Sequence, residues 1–93
     1  MGMQQLEATV LGRVQGVSFR HYTGLQANRL GLTGYVKNQR NGSVYVIAEG
    51  ETAVLEQFLA YLHDGSPMAR VDAVNSRWLP ATGQYKQFQV RWF

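Results

Sequence analysis

Residues 32–49 read LTGYVKNQRNGSVYVIAE, two runs rich in β-branched and aromatic residues on either side of Asn41-Gly42. That dipeptide is the strongest short signal for a hairpin, because both central positions of a two-residue hairpin turn need positive φ and Asn and Gly tolerate it best. The stretch predicts strands over 32–40 and 43–49, paired antiparallel through a tight turn. A lone hairpin cannot bury its apolar side, so its neighbours in sequence must supply what covers it.

On the N-terminal side, Phe19, Thr23, Ala27 and Leu30 recur on one helical face with Tyr22 beside them, and Gly31 supplies a stop. Before that, residues 5–12 alternate as a strand does. On the C-terminal side, Val54, Leu55, Phe58, Leu59 and Leu62 keep helical spacing between Glu51-Thr52 and the breakers Gly65 and Pro67. Residues 70–79 and 85–92 read as two further strands joined by a turn around Pro80 and Gly83. The order is β-α-β-β-α-β with an extra strand near the end. Its natural packing is an α+β, ferredoxin-like sandwich: an antiparallel sheet with two helices on one face and an added C-terminal strand. No linker, repeat or low-complexity segment interrupts residues 1–93, which predict a single domain.

A composition of 45% hydrophobic and 16% charged residues is that of an ordinary globular protein. The absence of cysteine excludes disulfides, thiolate metal clusters and a cysteine nucleophile. The opening MGMQQLEATV lacks a basic segment followed by an apolar one, and no apolar run reaches membrane-spanning length, so the expectation is a cytoplasmic protein with no membrane partner. The net charge of +3 favours anionic partners only weakly, since the nine Lys and Arg residues are dispersed and not gathered into a stripe.

Residues 12–20, GRVQGVSFR, stand where the first strand gives way to the first helix. Gly12 and Gly16 permit backbone conformations and close approaches that a side chain would block. Their spacing by itself fits either a plain turn or a cradle of N–H groups. The helix that follows begins with four N–H groups lacking intrahelical partners and with the positive end of the macrodipole. Its first turn nevertheless holds Arg20 and His21, and no Asp or Glu occurs from Gly12 to Asn38. An uncompensated cation there costs about 0.3–1 kcal/mol, so the missing partner is an external anion, most simply a phosphate. The segment is not a Walker loop, because Val17-Ser18 follow Gly16 where Lys-Ser/Thr would be needed. Ser18 lacks the setting of a nucleophile and is expected to serve as helix N-cap.

The same stretch resembles the first signature of the acylphosphatases, and GYVKNQRNGSV, residues 34–44, resembles their second. Thr23, Ala27 and Leu30-Gly31-Leu32 also sit as that family places them, as does the Tyr85…Phe88 pattern on a last strand. The resemblance covers nearly the whole chain. It implies a small ferredoxin-like enzyme that hydrolyses the carboxyl–phosphate bond of acyl phosphates to carboxylate and inorganic phosphate, with no metal and no cofactor. By motif position it implies Arg20 as the phosphate-binding arginine and Asn38 as the residue that orients the attacking water. The backbone N–H groups of Gln15, Gly16, Val17, Ser18 and Phe19 then form the phosphate cradle. Of Gln15 only the backbone is implied.

The remaining candidates receive structural readings. His63 is expected to cap the second helix, and His21 is set aside because it projects about 100° away from Arg20 around the helix. Tyr22, Tyr45, Tyr61, Trp78 and Trp92 are expected in the core or on a sheet face. Three alternatives stay in view: an RNA-recognition module, a domain that binds phosphate ligands without turnover, and a hydrolase specific for carbamoyl phosphate. The first is disfavoured because SVYVIAEG, residues 43–50, carries only Tyr45 as an aromatic and lacks the expected basic-Gly-aromatic core. The second is disfavoured because simple binding has no use for Asn38. The expected partners are therefore a small acyl phosphate and inorganic phosphate, with no nucleic acid, and the expected state is a monomer.

Overall fold

The computed structural model describes residues 2–92. Alternation along the first strand, β1 (Met3–Arg13), sends Leu6, Ala8 and Val10 to one face, where all three are fully buried. Helix α1 (Phe19–Arg29) buries Phe19, Thr23 and Ala27, one every four residues, against that face. Its end is a Schellman motif: Gly31, at φ +72°, donates its N–H to the Asn28 carbonyl and Leu32 donates to Ala27 at 2.9 Å. The predicted stop at Gly31 is thus a stop by conformation.

Strands β2 (Thr33–Asn38) and β3 (Val44–Glu51) pair antiparallel from Thr33↔Glu49 to Asn38↔Val44. The predicted two-residue turn is corrected. Gly42 has φ +92° but Asn41 is not left-handed, and the Gln39 N–H closes on the Ser43 carbonyl at 2.9 Å. Three residues, Arg40, Asn41 and Gly42, therefore span the turn. Asn41 takes a different local role: its Oδ1 accepts the Ser43 N–H at 3.0 Å, an Asx turn that competes with the left-handed conformation.

Helix α2 (Thr52–Asp64) buries Leu55, Phe58 and Leu62 and ends at Gly65, φ +82°. Full burial of each such side chain stabilises the fold by roughly 1.5–3 kcal/mol. Strands β4 (Arg70–Pro80) and β5 (Phe88–Arg91) complete a sheet of order β4-β1-β3-β2-β5. The first four strands form the antiparallel ferredoxin-like sheet that the sequence predicts. The added strand runs parallel to β2, so the complete sheet is mixed. Both helices pack on one face, α1 over β2 and β5 and α2 over β3 and β4.

β4 and β5 lie at opposite edges, so residues 81–87 cross the sheet where sequence suggests a simple turn. Glu49 in the middle strand fastens this crossing. Its carboxylate accepts the Thr82 N–H, the Gly83 N–H and the Thr82 hydroxyl at 2.8–3.0 Å, and the Gln5 amide at 2.7 Å. Phe88 then enters the core edge-on to Phe58, ring centres 6.0 Å apart.

Candidate active site

The two glycines of the 12–20 segment do different things. Gly12 sits at a bulge where β1 passes β4, at φ +132°, and a Cβ there would lie 2.2 Å from the Arg70 carbonyl oxygen. Gly12 serves the strand crossing. Gly16, at φ +74°, has nothing within 4 Å of the place a Cβ would take, and it belongs to the open loop.

Ser18 is also left-handed, φ 61° and ψ 20°, and makes no side-chain bond to the helix it precedes. Ser18 thus stands at the expected N-cap position without the capping bond, and the first N–H groups of the helix are not taken by its side chain. Among the described residues, none of the N–H groups from Gln15 to His21 finds an acceptor; the first that does is Tyr22, on the Ser18 carbonyl at 3.1 Å. Gly16 and Ser18 are left-handed and Val17 between them is not. Left-handed residues of this kind are one ingredient of the nests in which successive N–H groups hold an anion. The macrodipole of α1 adds its positive end, with no acidic residue in the first turn.

Arg20 stands in that first turn. Its Nη1 donates to the Arg91 carbonyl at 2.7 Å, and its guanidinium lies 4.2 Å from the centre of the Trp92 ring. No carboxylate among the described residues pairs with it. A guanidinium has five N–H donors in one plane, so a single carbonyl bond and a stacked face leave most of the fork available.

Asn38 comes from the end of β2. It lines the same cleft, of about 440 Å³, as Gly16, Ser18 and Arg20. Its Oδ1 is buried with no hydrogen-bond partner, an arrangement that costs about 1–3 kcal/mol when nothing offsets it. The loop and the β2–β3 hairpin are stitched together by the Gln15 side chain, whose Nε2 donates to the Gln39 carbonyl at 2.7 Å and to the Ser43 carbonyl at 2.8 Å. The predicted Arg20, Asn38 and residues 15–19 thus occupy one region. Gln15 adds a bracing side chain that the sequence reading confined to its backbone.

Two expectations are corrected here. His21 lines the cleft with Arg20, because at the first turn of a helix consecutive residues flank one opening. Trp92 is 78% exposed at the rim, neither core nor sheet face. Trp92 had no local signal, since it follows β5, whose place beside β2 is set by strand pairing. His63 is exposed on the last turn of α2, away from the cleft.

Comparison with known proteins bears on the family and the fold. Residues 6–90 match the acylphosphatase family model. The acylphosphatase of Dehalococcoides mccartyi strain CBDB1 is 48% identical over 90 residues, 96% of this chain and 99% of its own. The crystal structure of acylphosphatase from Bacillus subtilis superposes with a TM-score of 0.91 at 32% identity, covering 95% of this chain and 98% of that one. An acylphosphatase structure from Coxiella burnetii gives 0.90 at 37%, covering 97% and 94%. With sequence and fold in agreement over almost its full length, the chain belongs to the acylphosphatase family.

Proposed function

We propose that the protein hydrolyses the carboxyl–phosphate bond of acyl phosphates, with the phosphoryl group held by the N–H groups of Gln15 to Phe19 and by Arg20. One observation carries this reading: among the described residues, a run of N–H groups without acceptors precedes an arginine without a carboxylate, and both line one cleft with Asn38. The chemistry asks for little more. Water oxygen forms a bond to phosphorus as the bridging P–O bond breaks, and the electron pair leaves on the carboxylate, which is stable without a proton. The charge on the phosphoryl oxygens is what needs stabilising, and preorganised donors supply that.

Asn38 orients the water. A half-turn of its carboxamide exchanges Oδ1 and Nδ2 and gives the cleft an acceptor for one water proton. A carboxamide is no base at neutral pH, so its part is placement, and the proton passes to the phosphoryl oxygens. The same proposal takes residues 1–93 as one domain working as a cytoplasmic monomer, for which size-exclusion chromatography is the check.

The test is release of benzoate from benzoyl phosphate in EDTA, by wild type and by Asn38→Ala. Turnover by wild type is expected, with kcat reduced at least about a hundredfold in the variant and KM nearly unchanged. Normal kcat in folded Asn38→Ala removes the water-orienting role. No turnover by folded wild type that still binds phosphate makes the loop a ligand site without catalysis.

A further inference from the structure

The cleft is lined by two chemically different kinds of residue. Gly16, Ser18, Arg20 and Asn38 offer it polar and cationic groups, and Val90 and Trp92 offer it apolar surface. An acyl phosphate has the same division, an anionic phosphoryl end and a carbon-bearing acyl end. We infer that Trp92 and Val90 form the shelf that receives the acyl group, and that the enzyme selects acyl phosphates with large, flat, apolar acyl groups over small ones. This inference rests on Arg20 and the loop holding the phosphoryl end.

Three observations carry it. Trp92 is 78% exposed, so a large aromatic surface stands uncovered in the same cleft. The Arg20 guanidinium also lies over the indole, 4.2 Å from its ring centre. Stacking uses the face of the guanidinium and leaves its edge donors for phosphate, so one contact aligns both halves of the substrate site. Finally, the shelf continues past the cleft: a second depression, lined by Lys37, Gln89 and Arg91, shares Val90 and Trp92 with the first. A methyl group would leave that extension unused, while an aryl ring extends along it and lies against the indole. Among the described residues, no carboxylate lines either depression.

The experiment compares benzoyl phosphate with acetyl phosphate as substrates of wild type, Trp92→Ala and Trp92→Phe, with competitive inhibition by inorganic phosphate as a third readout. The intrinsic reactivity of each substrate cancels in the ratio of variant to wild type. Trp92→Ala is expected to lower kcat/KM for benzoyl phosphate about tenfold further than for acetyl phosphate, and Trp92→Phe to keep most of the discrimination. Weakened phosphate inhibition measures whatever part of the loss passes through Arg20, and that part falls equally on both substrates. An equal fall for the two substrates overturns the shelf and leaves Trp92 as a support for Arg20. No change for either overturns it as well. If folded wild type hydrolyses neither compound, the hydrolytic reading itself fails and the inference with it.

Discussion

Arg20 is steadied by a main-chain carbonyl and an indole face, with no acidic partner among the described residues. A carboxylate would neutralise the guanidinium before a phosphate arrived. A carbonyl dipole fixes its direction and leaves its charge whole. Arg20→Lys keeps the charge but loses the planar fork, so kcat/KM for benzoyl phosphate is expected to fall at least about a hundredfold, with weaker inhibition by phosphate. Activity within threefold of wild type would show that a point charge is enough. Arg20 and Asn38 each stand in a dense local motif, and their place on one cleft could be anticipated from it. That of Trp92 could not, since it is decided by a strand pairing that nothing nearby in sequence announces. The Gln15 brace escaped for the same reason: its acceptors are backbone carbonyls, and a carbonyl has no letter in the sequence.

At the level of elements, the end of β1 and the loop after it separate support from the open site within five residues. Gly12 holds the strand crossing and Gly16 lies in the open loop. Gly12→Ala pushes a Cβ into the Arg70 carbonyl at a backbone angle that L residues avoid, and it is expected to destabilise the protein by roughly 2–4 kcal/mol in urea unfolding. Gly16→Ala meets no atom and pays only the left-handed penalty, about 1–2 kcal/mol. Its larger effect should appear in phosphate affinity. Equal losses of stability in the two variants would contradict this division. The sequence marked both glycines as special but offered no way to tell them apart, because the difference lies in what each faces across space. The hairpin tells a similar story. Its strands were legible from their composition, whereas its turn was decided by Asn41 bonding to Ser43.

For the molecule as a whole, Glu49 holds the segment that carries the chain from one sheet edge to the other. Burial by itself raises its pKa, but the donors from Thr82, Gln5 and Gly83 outweigh burial and hold it below 4.5. Glu7 is lowered too, by the Tyr45 hydroxyl and by Arg77. As pH falls, the unfolded chain takes up these protons first. The stability they contribute is therefore complete above about pH 4.5 and drains away as pH drops through the lower folded values. Glu49→Gln is expected to lose about 2–3 kcal/mol at neutral pH and to show a flatter decline between pH 5 and 3 than wild type in urea titrations. An unchanged acid slope would mean that the clasp carries little of it. The ferredoxin-like order of elements was readable from periodicity. The parallel edge strand and its crossing were not, because a single glutamate meeting main-chain donors leaves no pattern.

The bond from Arg20 to the Arg91 carbonyl spans 71 positions of sequence. Segments so far apart meet only after the chain between them has closed, an entropic cost that precedes any gain from the contact. In a partly folded species with β5 undocked, the guanidinium has no such anchor, however well formed α1 and its loop are. Regained turnover during refolding therefore dates the docking of that edge strand, and the enzyme keeps its own clock for the last step of its assembly.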